Sequence, residues 1–233
     1  MTDGRRLSGL GGLLPPEAWR ALIDDGHLRR HKPGETLVRR GEPGGFVYAL
    51  VAGLVKVTRS ERQGTELLLA VRGPGEVIGD RSVLDGGPRS ATVITLDHCE
   101  TAGLPARRFR ELMTIHDCDD ILIRHALARL RDREDRWAEK ATLPAGPLVA
   151  RELLRLVAET GDVPTGPLGV NLRLSQEDLA AFVGLSRSAV AGELQRLRSL
   201  GVVSTARRRV IIRDVLRLQA LAEHASAWPM TAE

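Results

Sequence analysis

Four glycines at intervals of eleven residues, Gly53, Gly64, Gly75 and Gly86, cut the first half of the chain into short runs. Around them lie stretches rich in β-branched residues: Phe46–Val51, Leu54–Thr58, Glu66–Val71 and Ala91–Leu96. Short strands separated at regular spacing by turn glycines are the pattern of a β-sandwich or barrel. Gly34 and Gly41 carry the punctuation back towards the N-terminus. The predicted β region runs from Lys32 to about Leu104, with Asp97–Leu104 as a further strand. Only 3% of the residues are aromatic, so its core must be built from Val, Leu, Ile and Ala.

Helices are expected on both sides of this region. Leu13–Ile23 opens with Pro15-Pro16-Glu17 and continues with Trp19, Leu22 and Ile23, which fits a short helix with proline at its start. Pro105–Met113 reads as a second. Asp119–Lys140 contains neither Gly nor Pro and reads as one long helix. Ile123, Leu127, Leu130, Trp137 and Ala141 recur along it at coiled-coil spacing, with Glu134 as the polar interruption. Such a narrow seam, on a helix joining two regions and charged elsewhere, predicts pairing with a second copy of the chain. Leu143-Pro144-Ala145-Gly146-Pro147 breaks the helix and reads as a hinge. Leu148–Ala158 is helical again, Gly161–Gly169 is a loop, and the remainder reads as short helices and a terminal hairpin. The expected fold class is α+β, with boundaries at 1–118, 119–142 and 143–233.

Charge singles out the last of these segments. Leu143–Ala220 holds eleven Arg, no Lys and seven Asp or Glu, and so carries the +4 net charge of the whole chain. A basic excess confined to one segment points to an anionic partner there. Within it, Leu174–Leu200 reads LSQEDLAAFVGLSRSAVAGELQRLRSL. Ser175 caps a first helix whose inner face is Leu179, Ala180 and Val183. Gly184 supplies a left-handed turn residue and Leu185 a buried plug. Ser186 caps a second helix whose inner face is Val190, Leu194 and Leu197.

This is a helix-turn-helix, a motif whose second helix enters the DNA major groove and presents its first residues to base edges. Arg187 is long enough to offer its fork to O6 and N7 of guanine. Ser186 and Ser188 suit phosphate. Ala191 and Gly192 are small and let the groove come close, while Gln195 and Arg198 lie further along. Gly201-Val202-Val203 and Val210-Ile211-Ile212 flank Ser204–Arg209, a hairpin or wing with Arg207, Arg208 and Arg209 at its tip, where they suit phosphate contact. Ser175 and Gln176, at the start of the first helix, complete the expected DNA-contacting set. A plain helical hairpin would not need two caps, a turn glycine and the following wing together.

Other classes find less support. No run of about 18 apolar residues is present to span a membrane, and Met1–Leu14 lacks the apolar core of a signal peptide, which predicts a cytoplasmic protein. Cys99 and Cys118 are too few for an iron–sulfur cluster. His116 and Cys118 have no second pair of ligands at metal-binding spacing, so no metal or haem is expected. The β region holds no His/Glu cluster of the kind a metal-dependent barrel enzyme needs, and no nucleophile–base pair stands out, so no enzyme is expected.

The whole layout, from Trp19 to Val215, resembles the CRP/FNR family of transcription regulators. The resemblance rests on Gly41-Glu42-Pro43-Gly44 through Gly53, on Gly79-Asp80 with Pro88-Arg89-Ser90-Ala91-Thr92, and on Val183-Gly184-Leu185-Ser186-Arg187. It implies a cyclic-nucleotide-binding β-roll (a double-stranded β-barrel) at 1–118, a dimerisation helix at 119–142 and a winged helix-turn-helix at 143–233. It implies a homodimer on double-stranded DNA at a palindromic site, with RNA polymerase as a further partner.

In nucleotide-binding members an Arg and Ser hold the cyclic phosphate and a Glu the ribose hydroxyl. Gly79, Asp80, Arg89 and Ser90 occupy the matching positions, with Asp80 one methylene short. Members that bind cyclic AMP contact the adenine from adjacent Thr and Ser on the long helix; Arg136 and Trp137 stand there. Trp137 can stack on a purine or fill the space and leave no site. Arg89 can hold a phosphate, or else pair with Asp80 or another acid. The effector implied is cyclic AMP or cyclic GMP; the alternatives are a different small ligand, an effector-independent regulator with a degenerate pocket, and a nucleotide-sensing module for a protein partner.

Overall fold

The computed structural model describes residues 7–60, 66–160 and 169–223. Gly64 and most of the Gly161–Gly169 loop lie outside them. The chain divides into two compact units, Met1–Arg131 with Glu159–Gly161, and Asp132–Ala158 with Asp162–Glu233.

The first unit is built on two four-stranded antiparallel sheets. Its strands are β1 (His27–His31), β2 (Thr36–Val38), β3 (Phe46–Ala52), β4 (Val55–Ser60), β5 (Glu66–Arg72), β6 (Val77–Ile78), β7 (Thr92–Thr95) and β8 (Cys99–Pro105). One sheet has the order β1-β8-β3-β6 and the other β2-β7-β4-β5. The helices are α1 (Pro16–Asp24), α2 (Asp80–Asp85), α3 (Ala106–Ile115) and the first part of α4 (Asp119–Thr142).

Strand β3 shows how the layers form. Its side chains alternate faces. Val47 and Ala49 pack with Trp19 and Leu22 of α1 and with Phe109, Leu112 and Met113 of α3. Tyr48 and Leu50 turn the other way, onto Val38, Val55, Val93 and Cys99 between the sheets. Each fully buried aliphatic or aromatic side chain contributes about 1.5–3 kcal/mol. The result is a β-roll with helices over one sheet. Gly53 and Gly75 both take the left-handed φ that the eleven-residue punctuation requires of its turns.

The roll begins earlier than Lys32. Strand β1, HLRRH, pairs with β8 from His27↔Gly103 to His31↔Cys99. It lies at the sheet edge with four of its five residues exposed. Charged residues are what a free edge requires, and they erase the alternation by which a strand is read.

The long helix extends to Thr142, and only Leu143 and Pro144 separate it from α5 (Ala145–Thr160). The predicted five-residue hinge is thus a two-residue break. Pro147 sits in the first turn of α5, where its missing N–H leaves no hydrogen bond unmade.

The second unit continues with β9 (Val170–Leu172), α6 (Gln176–Val183), α7 (Arg187–Ser199), β10 (Val203–Ala206), β11 (Arg209–Ile212) and α8 (Val215–Glu223). Its sheet has the order β10-β11-β9, all antiparallel. The hairpin is therefore neither two-stranded nor terminal: β9 adds a third strand and α8 follows it. Three residues, Val-Asn-Leu, are too few to carry a strand pattern.

Candidate functional site: an anion cassette and a DNA-reading helix

The cassette is a strand–helix–loop. Gly79 follows β6 with φ +90° and leads into α2; Gly86, φ +70°, ends it. Arg89 then turns back inward and is buried. Its Nη1 donates to Gly79 O at 3.0 Å and to Ser82 Oγ at 2.6 Å. Its Nη2 donates to Phe46 O. Ser82 Oγ in turn donates to Gly79 O at 3.0 Å. The Arg89 main chain pairs with the Gly41–Gly44 turn, through Arg89 N to Glu42 O and Gly41 N to Arg89 O, both 2.9 Å. Burial pulls the guanidinium pKa down, while Tyr48, Glu42 and Asp80 push it up; an arginine stays protonated under such opposing influences.

Three of the five guanidinium N–H groups are spent on the chain's own oxygens. The Nε–H and one Nη2–H remain. Asp80 does not pair with Arg89. Its Oδ2 accepts from Arg129 Nη1 at 3.2 Å, from the first unit's part of α4. Ser90 is exposed beside the cassette.

Gly79, Asp80, Arg89 and Ser90 are therefore brought together, whereas Arg136 and Trp137 are engaged differently. Arg136 pairs with Glu152 of α5 at 3.1 Å, and Trp137 is 77% exposed. Ser82 and Arg129 escaped the sequence reading. Ser82 offered only its place three residues after Gly79, and Arg129 became a partner through tertiary folding alone.

The two helices of the helix-turn-helix are bounded by local chemistry. In α6, Ser175 Oγ accepts from Asp178 N at 3.0 Å and donates to Asp178 Oδ2 at 2.6 Å. Gly184, φ +82°, closes that helix. In α7, Ser186 Oγ accepts from Ala189 N at 3.1 Å and lies 3.0 Å from Ser188 Oγ. Val190, Leu194 and Leu197 are buried and fix the inner face. Arg187 and Ser188 are exposed on the first turn; Ala191 and Gln176 are half-buried. Leu185, expected as a buried plug, is also only half-buried, because the turn it occupies lies at the surface. Gly192 is exposed, and a Cβ added there would meet no atom within 4 Å. In the wing, Ala206 pairs with Arg209 across a tight turn, Arg208 takes φ +56°, and Arg207, Arg208 and Arg209 are all exposed.

Among the described residues no group of three or more His, Cys, Asp or Glu could hold a metal, and no helix is long and apolar enough to cross a membrane. Cys99 and Cys118 are buried free thiols, and burial with Asp97 alongside pushes Cys99 up to about 12.

Residues 28–116 match the cyclic nucleotide-binding domain family, and residues 149–221 match the Crp-like helix-turn-helix domain family. The CRP-like cAMP-activated global transcriptional regulator of Mycobacterium tuberculosis H37Rv is 30% identical over 79% of this chain and 83% of its own. The chain belongs to the CRP/FNR family. The cAMP-activated global transcriptional regulator CRP of Escherichia coli O157:H7 is 27% identical over 80% of this chain and 89% of its own. Among solved structures, a CRP-family transcriptional regulator from Thermus thermophilus superposes with a TM-score of 0.69 at 26% identity, covering 84% of this chain and 97% of that one. The CRP/FNR member described here thus joins a cyclic nucleotide-binding domain to a winged helix-turn-helix, and its family consists of transcription regulators rather than enzymes.

Proposed function

We propose that the chain works in the cytoplasm as a homodimeric transcription factor that grips a palindromic operator and answers to a cyclic nucleotide. Residues 1–118 sense, 119–142 pair two chains and 143–233 read DNA. The observation that carries this is Arg187, exposed on the first turn of a helix whose cap and inner face are both complete. It is free to offer both ends of its fork to a guanine, while Ser175, Gln176, Ser186, Ser188, Ala191 and Arg207–Arg209 supply phosphate and groove contacts. Two such helices spaced one DNA turn apart match two half-sites of a palindrome. RNA polymerase, as the enzyme recruited or blocked, is the further partner of such a complex.

Pairing has its own support. Ile123, Leu127, Leu130 and Trp137 along α4 are each between 46% and 77% exposed, which leaves the coiled-coil seam uncovered in the single chain. A second copy of the same seam would cover it.

The effector reading rests on Arg89, which keeps Nε–H and one Nη2–H for an anion, with Ser90 exposed beside it. A nucleotide shifts the protein only as far as it binds the DNA-competent arrangement more tightly than the other. One observation favours the second reading, an effector-independent regulator: three of the five Arg89 N–H groups, both on Nη1 and one on Nη2, are already taken by Gly79, Ser82 and Phe46.

DNA reading is tested by fluorescence anisotropy on a duplex selected from genomic fragments. Arg187→Ala is expected to lose about 5- to 150-fold in affinity and to relax one base position. Unchanged affinity and specificity would remove Arg187 from the readout. Calorimetry against cyclic AMP and cyclic GMP separates the two effector readings. Binding heat that disappears in a folded Arg89→Ala variant supports the nucleotide; no heat from either compound with wild-type protein supports the effector-independent form.

A further inference from the structure

Glu152 of α5 is completely buried, and burial raises its carboxyl pKa against the pull of Arg136, Arg155 and Lys140. Arg136 of α4 reaches both of its oxygens, Nη2 to Oε2 at 3.1 Å and Nε to Oε1 at 3.4 Å. The same guanidinium lies over the Phe182 ring of α6, 4.4 Å from its centroid. One turn on, Lys140 Nζ donates to Phe182 O at 2.8 Å. Between them Glu139 pairs with Arg151 and with Arg155, each at 2.7 Å. Arg136, Glu139 and Lys140 stand at i, i+3 and i+4 and so share one helix face. That face grips α5 through three ion pairs and α6 through a stacked ring and a carbonyl.

Such an arrangement is a poor way to add stability. Removing charges from water costs about as much as their attraction returns, and an apolar pair of equal volume serves as well or better. What a buried, two-pronged and stacked guanidinium does provide is a single geometry. The element it fixes is α6, the first helix of the helix-turn-helix, whose Gly184 turn leads directly into the helix that carries Arg187.

We propose that Arg136 is a positioning residue of the DNA reader and not a contact to the effector. Through Glu152 and Phe182 it sets the angle of the α6–α7 pair against the last turns of α4, and with it the direction in which Arg187 points. This rests on the DNA-reading function proposed above.

The test compares Arg136→Met with the double variant Arg136→Met/Glu152→Leu, in the full-length protein, reading Tm and duplex affinity on the same preparations. Arg136→Met leaves the buried Glu152 carboxylate with only the 3.4 Å contact from Arg155 Nη1 and is expected to lower both. The double variant replaces the ion pair by an apolar pair. It is expected to return Tm to the wild-type range while duplex affinity stays about tenfold weak, because packing is restored and orientation is not. If duplex affinity returns together with Tm, the cluster merely holds the unit folded and the proposal fails. If Arg136→Met keeps full duplex affinity but loses cyclic nucleotide heat, Arg136 belongs to the effector and the proposal fails. A wild-type protein that ignores every duplex, as Arg187→Ala would then also do, overturns the DNA reading itself and this inference with it.

Discussion

Placing glutamate at both Leu127 and Leu130 is expected to yield a folded monomer that holds its operator weakly. Both leucines are about half exposed in the single chain, so the change costs the isolated protein little. In a two-fold pair the same positions face their own copies, and the new carboxylates would meet like charges across a desolvated seam. A dimer engages its second half-site as an intramolecular event, an advantage worth about 10²–10⁴ in apparent affinity. Sedimentation should therefore report half the wild-type mass, and anisotropy a loss of that order on the intact palindrome. On a single half-site, wild type and variant should bind alike. A variant that still sediments as a dimer would place the pairing surface elsewhere than on Ile123, Leu127 and Leu130.

The second large effect is expected at Gly79. Gly79 and Gly86 flank α2 and both have left-handed φ, so alanine at either strains the backbone by about 1–2 kcal/mol. At Gly86 that is the whole cost, since an added Cβ meets nothing within 4 Å. At Gly79 the Cβ would collide with Nη1 of Arg89. The buried guanidinium would have to leave Gly79 O and Ser82 Oγ, and hydrogen bonds to a charged group are worth about 1.5–3 kcal/mol. Urea denaturation should therefore show Gly79→Ala less stable than Gly86→Ala by about that margin. Any binding heat for a cyclic nucleotide should vanish in the first and persist in the second. Equal stabilities would mean that Arg89 is not locked into the cassette as described.

What was legible in the sequence is what a few neighbouring residues decide among themselves. Ser175, Ser186 and Gly184 were readable as caps and turn because each acts on a backbone group within four residues. The long helix α4 was readable because neither Gly nor Pro interrupts it from Asp119 to Thr142. Strands β1 and β9 were not, one because an edge strand is charged and the other because three residues hold no period. Partnerships across the fold were the least readable. Asp80 went to Arg129 rather than to Arg89, a choice set by the approach of α4 and by nothing in the cassette's own sequence. Arg136 was placed by counting along a helix, which fixes its position but not the side on which Glu152 waits 16 residues later.

Gly192 leaves a stretch of bare main chain on the outward side of the reading helix, with open space where a side chain would stand. A helix interior gives up about 1 kcal/mol to keep glycine there instead of alanine. An alanine methyl there would point into open space, away from the buried face of the helix. On the DNA-reading function proposed above, a substitution at this one position would change what the groove meets while Val190, Leu194 and Leu197 keep their places beneath it.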